Sequence, residues 1–270
     1  MDYFDSFYSD ILEEHYSIED VRKDLNRVVD YFRSQDYHEQ AMQIALVEDR
    51  RLSPEIIEES KAFFIPEDTS ISNIPDWMLH DSLGIVRFKK YITYLGRIVY
   101  PVFDVNGDVM GFCGWEKFSK ELGVPKYLDS NNYGYKAKAT TLYGMEKLEE
   151  YYDSNKPVFV VEGIICCLYL RSKGYQALAL LGSKVTPYVT QILKRFGRRL
   201  ILIPDNDEAG NSLVNWAKWK LKGSVIIQMD KGKDTDGCRL YEDGILEETL
   251  LKELSSLVIP FSKTILCIRR

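Results

Sequence analysis

Acidic residues stand at the ends of three short apolar segments in the second half of the chain. In chain order they are Glu162, Asp205, Asp207, Asp234 and Asp236. Carboxylates that converge repel one another, and burying them is costly unless a cation lies between them. Hard oxygen ligands suit Mg²⁺ or Mn²⁺, and two such ions about 4 Å apart promote phosphoryl transfer. The acids therefore indicate a divalent-metal site. For Asp205-x-Asp207 alone, a solvated turn before a helix is the alternative.

Apolar runs alternate with helical spacings after residue 156. The predicted strands are Val158–Val161, 175–181, Leu200–Ile203 and 224–229, and the predicted helices are Ile164–Ser172, 187–196 and 208–221. This alternation is typical of a parallel, doubly wound sheet with helices on both faces. Ligands of such sheets gather beyond the carboxyl ends of the strands, which is where the five acids stand.

The first half of the chain has a different pattern. Its predicted helices span residues 17–33, 38–48 and 53–64, and its predicted strands span residues 91–95, Arg97–Phe103 and Val109–Trp115. Ser17 is a favourable N-cap for the first helix, and Asn106-Gly107 is a strong hairpin signal between the last two strands. We therefore expect a mixed α+β lobe ahead of the α/β region, with a boundary near residue 151.

Composition and charge limit the function. The chain has 270 residues, 45% of them apolar, and a net charge of −6. It has no apolar run long enough to cross a bilayer and no basic secretory start, so we expect a cytoplasmic protein without a membrane partner. The five cysteines form no C-x-x-C pair and the three histidines stand far apart, so no zinc site is predicted.

The middle of the chain is basic although the whole chain is acidic. Residues 87–138 hold 9 Lys/Arg against 5 Asp/Glu, together with six tyrosines, whereas residues 1–70 hold 18 Asp/Glu against 7 Lys/Arg. Such a middle region is typical either of a polyanion-binding surface or of an ordinary solvated face. Trp216 and Trp219 lie three apart on a predicted helix, and we expect them to pack that helix on the sheet rather than to stack on bases.

Several segments resemble a known superfamily. VFVVEGIICCLYL, LGSKVT, ILIPDNDEAG and KGKDTD resemble the toprim domain shared by bacterial-type primases, topoisomerases and some nucleases. Upstream, RRLSPEIIEESKAFFIPED, RIVYPVFDVNGDVMGFCGW, VPKYLDS and KATTLYGMEKL resemble the catalytic core of DnaG-type primases, and GILEETLLKELSSLVIPF resembles its closing helix. The resemblance covers residues 38–262 in family order.

The resemblance implies a fold and a domain plan. The fold is an α/β, toprim Rossmann-like parallel sheet flanked by helices and preceded by a smaller mixed α+β lobe. The plan is an acidic helical extension over residues 1–37, the lobe over 38–150, the toprim catalytic domain with its closing helix over 151–262, and a tail over 263–270.

It also implies a role for each matching residue. All five acids match metal-binding acids of the family, and Glu162, Asp205 and Asp207 would be the catalytic ones. The implied nucleotide- or template-binding residues are Arg50, Arg97, Lys126, Tyr127 and Lys138. Lys184 follows a predicted strand end, where it is either a phosphate contact or a surface lysine.

The implied activity is DNA-templated synthesis of short RNA primers by two-metal nucleotidyl transfer with Mg²⁺ or Mn²⁺. The substrates would be a single-stranded DNA template and ribonucleoside triphosphates, in the host cytoplasm if the chain is viral. The family's zinc-ribbon and helicase-binding domains find no match, so a replicative helicase or a separate zinc-binding protein is an expected partner. A toprim metal-dependent nuclease and a non-catalytic single-strand-binding replisome subunit are the alternatives.

One motif departs from the family pattern. Cys113-Gly114-Trp115 stands where the family has Gly-Gly-Arg, so a phosphate-handling arginine is missing, and Lys117 or Lys120 is its candidate replacement.

Overall fold

The chain divides into two compact units. The structure, a computed structural model, describes residues 17–48, 50–129, 142–181, 185–205, 207–228 and, for the backbone alone, 265–267. The first unit comprises Met1–Leu46 and Ile57–Ala137, and the second comprises Val47–Ile56 and Lys138–Arg270.

Helices and strands are numbered here in chain order within these described ranges. The helices are α1 (Ile18–Arg33), α2 (His38–Met42), α3 (Pro54–Ser60), α4 (Ser119–Leu122), α5 (Leu148–Asp153), α6 (Ile164–Ser172), α7 (Pro187–Lys194) and α8 (Glu208–Lys220). The strands are β1 (Phe63–Ile65), β2 (Val86–Arg87), β3 (Tyr91–Ile92), β4 (Arg97–Phe103), β5 (Val109–Trp115), β6 (Tyr127–Asp129), β7 (Leu142–Tyr143), β8 (Val158–Val161), β9 (Gln176–Leu180), β10 (Leu200–Ile203), β11 (Val225–Gln228) and β12 (Ile265–Cys267).

The first unit is built on an antiparallel sheet. Its described strands pair in the order β1-β4-β5-β6, and β2 pairs with β3 as a separate small hairpin. Strands β4 and β5 form the hairpin that Asn106-Gly107 predicts, and Gly107 has a φ of +85° that suits the turn. Asp104 supports this turn, because its Oδ1 accepts the N–H groups of Asn106 and Asp108 at 2.8 and 3.0 Å.

Helix α1 packs on this sheet through one apolar face. Its N-cap is Ser17, whose hydroxyl accepts the N–H of Asp20 while the Asp20 carboxylate accepts the N–H of Ser17. Leu25 and Val28 are fully buried, and the ring of Phe32 stacks on that of Phe63 with centroids 5.2 Å apart. Of the extension expected over residues 1–37, the described part from Ser17 is not separate, because α1 contributes to the core of the first unit. Residues 1–16 lie outside the described residues.

Three predicted elements in the first half of the chain differ from the structure. The helix expected over residues 53–64 ends at Ser60, and β1 follows it, with Phe63 and Ile65 fully buried. β1 pairs with β4, and this tertiary pairing overrides the local helical pattern. The helix expected over residues 38–48 changes from α to π geometry at Gln43. The strand expected over residues 91–95 is limited to β3.

The second unit contains the predicted parallel sheet. Its described strands follow the order β12-β11-β10-β8-β9-β7, with all pairs parallel except the antiparallel edge strand β7. Val158, Val160, Leu200 and Leu202 belong to one core cluster, which the apolar faces of α5, α7 and α8 complete. The alternate residues, such as Phe159 and Ile201, face the other way and are also buried, and α6 packs against β8 and β9.

Local signals set the helix bounds in this unit. Thr186 caps α7 by accepting the N–H of Val189 at 3.3 Å, and Pro187 occupies the first helical turn. The bounds of α6 agree with the prediction, and β9, β10, α8 and β11 agree to within one or two residues. The predicted closing helix lies outside the described residues.

The boundary between the two units differs from the expected position near residue 151. β7 pairs with β9, so residues 142 and 143 already belong to the sheet of the second unit. Residues 47–56 also group with the second unit, although they precede most of the first in sequence. Within the described ranges, no helix is long and apolar enough to cross a membrane.

Candidate active site

Two strands bring two of the predicted acids together. β8 and β10 are adjacent and parallel, with Val161 opposite Ile203, so the residues that follow them emerge side by side. Glu162 follows β8 directly, and its Oε1 accepts the backbone N–H of Asp205 at 2.9 Å. The carboxyl end of the sheet therefore carries Glu162 beside Asp205, as the alternation of strands and helices predicts.

The loop after β10 is tied to the start of α8. Asp207 is the N-cap of this helix, and its Oδ1 accepts the N–H of Gly210 at 2.8 Å. Gly210 is buried, and a Cβ at this position would overlap the backbone carbonyl of Asp205. The glycine therefore allows α8 to begin directly against the Asp205 backbone.

The electrostatics of Glu162 are unfavourable in the free protein. Burial raises the pKa of Glu162 to about 7, and the charges of Asp205 and Asp207 add to the rise, which outweighs the lowering by the Asp205 N–H. Within the described residues, Glu162 makes no salt bridge. Among the described residues its ionised form therefore has no counter-charge, which is a condition that a bound cation would relieve.

The described acids do not by themselves form a complete metal site. In the part of the chain that the structure describes, no three His, Cys, Asp or Glu side chains are grouped closely enough to hold an ion. Asp207 is exposed and directed at its own helix, and Asp234 and Asp236 lie outside the described residues. The chemistry of the donors fits Mg²⁺ or Mn²⁺, since Glu162 lies against the Asp205 backbone and both side chains carry hard carboxylate oxygens. The full set of ligands remains a prediction.

The basic residues of the first unit have different environments. Arg97, predicted to face phosphates, is only 6% exposed, and its guanidinium donates to the carbonyl of Pro125 at 2.9 Å. Pro125 directly precedes Lys126 and Tyr127, so Arg97 orients this segment from within the fold. Lys126 is exposed, with its Nζ 6.0 Å from the centroid of the Tyr127 ring.

Three other predicted residues complete the set. Arg50 is partly buried in the segment of residues 47–56, which groups with the second unit. Lys138 and Lys184 lie outside the described residues. The predicted roles of all three in binding nucleotide or template remain predictions.

The tryptophans divide into buried and exposed ones. Trp115, at the position of the family arginine, is only 2% exposed, and it therefore belongs to the interior. Lys117 and Lys120 nearby are both exposed. Trp216 packs partly buried against the core of the second unit, as expected. Trp219 is 79% exposed, so the prediction that it packs on the sheet is wrong: it lies on the outward side of α8.

One exposed basic and aromatic group is missing from the predicted site residues. The run Arg87-Phe88-Lys89-Lys90-Tyr91 places Phe88 at the tip of the β2–β3 hairpin with 73% of its surface exposed. The signal in the sequence is an aromatic residue between cations, with no acidic residue from 82 to 103.

Both units have counterparts among known families. Residues 30–149 match the family described as the DNA primase catalytic core, N-terminal domain, and residues 159–238 match the Toprim-like family. The fold and the acids at its sheet edge thus define a Toprim-type α/β domain that follows a primase-type lobe in the sequence. The two matches cover 120 and 80 of the 270 residues, and together they support a DnaG-type primase core.

Relatives and solved structures agree with this assignment. The DNA primase of Legionella pneumophila is 27% identical over 230 residues, which are 82% of this chain and 39% of the relative. The structure of the zinc-binding and RNA polymerase domains of the Aquifex aeolicus primase has a TM-score of 0.72 at 22% identity, covering 91% of this chain and 62% of that one. A DnaG primase catalytic domain solved with bound single-stranded DNA has a TM-score of 0.64 at 23% identity, with coverage of 86% and 83%. The chain spans 25% to 39% of the length of the curated primases compared.

Proposed function

We propose that this chain is the catalytic part of a primase, which copies single-stranded DNA into short RNA primers by nucleotidyl transfer. The observation that carries the proposal is the pairing of Glu162 with the Asp205 loop at the carboxyl end of a Toprim-type sheet. The family membership of both units supports it, as does the single-stranded DNA bound by the related catalytic domain.

The acids would hold divalent cations. Glu162 and Asp205 would be the first ligands, with Asp207, Asp234 and Asp236 as further ones. Mg²⁺ or Mn²⁺ bound there would lower the pKa of an attacking 3′-hydroxyl and neutralise charge on the leaving pyrophosphate. Because its pKa is raised to about 7, Glu162 keeps its proton more readily than an ordinary glutamate, so cation binding would favour release of that proton.

The basic residues would hold the nucleic acid and the triphosphate. Lys126 is exposed and would contact phosphate as a point charge, and Tyr127 beside it offers a ring for a base. Arg97 would act on both through Pro125 rather than by direct contact. Arg50, Lys138 and Lys184 are further candidates for contacts with nucleotide or template. A replicative helicase or a separate zinc-binding protein is the proposed partner.

A primer-synthesis assay tests this function. The full chain is incubated with single-stranded template, labelled ribonucleotides and Mg²⁺ or Mn²⁺, with and without the candidate partners. We expect metal-dependent short RNA products, and we expect Asp205→Asn and Glu162→Gln each to lower the rate about 10²–10³-fold while the thermal unfolding transition is kept.

A matched control is available on the same unit. Glu149 is an exposed glutamate of α5, and Glu149→Gln should leave synthesis unchanged. Nicking of the template without ribonucleotides would support a metal-dependent nuclease instead. Full primer synthesis by Asp205→Asn would overturn the assignment of the acids.

A further inference from the structure

The hairpin formed by β2 and β3 has an unusual turn. Val86 pairs with Ile92 and Arg87 with Tyr91, and the N–H of Lys90 donates to the carbonyl of Arg87 at 3.0 Å. The two central turn residues, Phe88 and Lys89, have φ values of +54° and +50°. Two consecutive left-handed residues are typical of a type I′ turn, which strongly prefers Asn-Gly.

This turn carries backbone strain that another hairpin of the same unit avoids. A left-handed conformation costs roughly 1–2 kcal/mol for an ordinary residue. The β4–β5 hairpin uses Asn106-Gly107, with Gly107 in the left-handed region. Phe88 and Lys89 therefore lack the local preference for this turn that Asn106 and Gly107 have for theirs. Strain of this kind is retained where side chains at the turn have a function.

The tip is exposed, whereas its base is anchored. Phe88 and Tyr91 are 73% and 56% exposed, but Ile85 and Val86 are fully buried in the core of the first unit. The N–H of Thr93 donates to the carbonyl of Ile85 at 2.7 Å and closes the base of the hairpin. The exposed aromatic tip is therefore part of a hairpin whose base is packed in the core of the first unit.

The charge at the tip has one sign. Arg87, Lys89 and Lys90 lie within four residues, and Lys90 Nζ is 5.1 Å from the centroid of the Tyr91 ring. The sequence has no acidic residue from 82 to 103. Cations interleaved with exposed rings are complementary to a strand that presents phosphates and unstacked bases.

We propose that the β2–β3 tip is a binding site for single-stranded nucleic acid. Phe88 stacks on an unpaired base, Tyr91 offers a second ring, and Arg87, Lys89 and Lys90 contact the backbone phosphates on either side. The proposal rests on the proposed function, because the template is the strand that such a protein must hold. An acidic protein surface is the competing occupant, and it would need the cations but not the ring of Phe88.

The test separates binding from folding through the turn itself. Phe88→Asn combined with Lys89→Gly supplies the preferred type I′ residues, so we expect a higher midpoint of thermal unfolding. The same double variant removes the ring and one cation, so we expect weaker binding of fluorescent oligo(dT) to the full chain, measured by anisotropy. Phe88→Ala alone should weaken this binding about 5-fold to 100-fold, whereas Phe88→Trp should retain it.

The role of the lysines is measured by the salt dependence of oligo(dT) binding, and a variant in the β4–β5 turn is the control. Lys89→Gln with Lys90→Gln removes two cations and should lower the slope of log affinity against log salt by about 1.4, since each phosphate contact on a single strand contributes about 0.7. Val105 is 54% exposed in the β4–β5 turn, and Val105→Ala should change neither binding nor stability. Binding of oligo(dT) that is unchanged in Phe88→Ala and in Phe88→Asn with Lys89→Gly would overturn the proposal. If only Lys89→Gln with Lys90→Gln then weakened this binding, the cations would act without the ring of Phe88, which is the pattern expected for an acidic protein surface.

The outcome is independent of the proposed activity. If the wild-type chain makes primers while Phe88→Ala binds oligo(dT) normally, the hairpin proposal fails and the proposed function stands. If the wild-type chain makes no primers but its binding of oligo(dT) depends on Phe88, the proposed function fails and the hairpin proposal stands.

Discussion

Two charged residues, one just before helix α6 and one in its last turn, are partly or fully buried, and their surroundings differ. Arg171, in its last turn, is only 5% exposed at the side chain. Its Nε donates to the carbonyl of Ala177 at 3.0 Å, its NH1 lies 3.3 Å from Glu146 Oε1, and the rings of Tyr143 and Tyr151 are each 5.9 Å away. The fold thus supplies an anion, a carbonyl and two aromatic faces for this cation.

Glu162, just before the helix, has the opposite environment. It accepts one backbone N–H, and the charged groups that act on it are two further acids. A buried charge with partners inside the fold is compensated there, whereas a partly buried carboxylate beside two like charges is stabilised by keeping its proton or by a cation from outside. The comparison therefore distinguishes a charge used for structure from one that we assign to function.

Removing Arg171 should have the largest effect on stability. Arg171→Met removes the ion pair of Glu146 and one donor to the Ala177 carbonyl, and we expect a loss of about 3–5 kcal/mol in the free energy of unfolding. Urea unfolding of the full chain measures it. Arg195 of the same unit is exposed over the ring of Tyr152 at 3.8 Å, so Arg195→Met should cost at most about 1 kcal/mol. Equal losses in the two variants would contradict the structural role of Arg171.

Changing the partner of Arg171 should cost less. In Glu146→Gln the amide oxygen still accepts from Arg171, but the anion is gone, and we expect a loss of about 1–2 kcal/mol. The same urea titration measures this value at neutral pH. A stabilised Glu146→Gln variant would show that the ion pair is not favourable, and it would remove the contrast with Glu162.

Local patterns predicted much of the fold. The bounds of α6, the Thr186-Pro187 start of α7 and the Asn106-Gly107 turn depend on neighbouring residues, so they can be predicted without the tertiary structure. Phe63–Ile65 could not be assigned in this way, because its strand geometry comes from pairing with β4, which lies more than 30 residues further along the chain. The boundary of the second unit was missed for the same reason, since β7 is recognised only by its pairing with β9.

The positions of the candidate site residues could be predicted only in part. Parallel strands end at one edge, and this general rule placed Glu162 beside Asp205. Residue type alone could not show that Arg97 would be buried against Pro125, because an arginine that orients a segment and one that binds phosphate are identical in sequence. The strained turn at Phe88 was also missed, because the sequence Phe-Lys carries no turn signal and its geometry is set by the anchored strands.

Glu162 should make the free energy of unfolding depend on pH. A carboxyl with a raised pKa holds its proton more tightly in the folded chain, so without divalent ions the free energy of unfolding should fall as pH rises from 4.5 to about 7. Glu162→Gln keeps an oxygen for the Asp205 N–H and removes the charge. The full shift corresponds to roughly 3 kcal/mol, and screening by solvent at this partly exposed group reduces the expected gain to about 1–2 kcal/mol above pH 7.

Urea unfolding in a chelator, at about pH 8 and about pH 5, measures this gain and its decrease at the lower pH. Adding Mg²⁺ should then stabilise the wild-type chain but have little effect on Glu162→Gln, because the ion binds the folded state through that carboxylate. Glu146→Gln is the matched control: it has the same chemical change in the same unit, is destabilised, and should keep the response to Mg²⁺. If Glu162→Gln is destabilised like Glu146→Gln, or responds to Mg²⁺ as the wild type does, Glu162 is a structural charge like Arg171 and the cation site lies elsewhere.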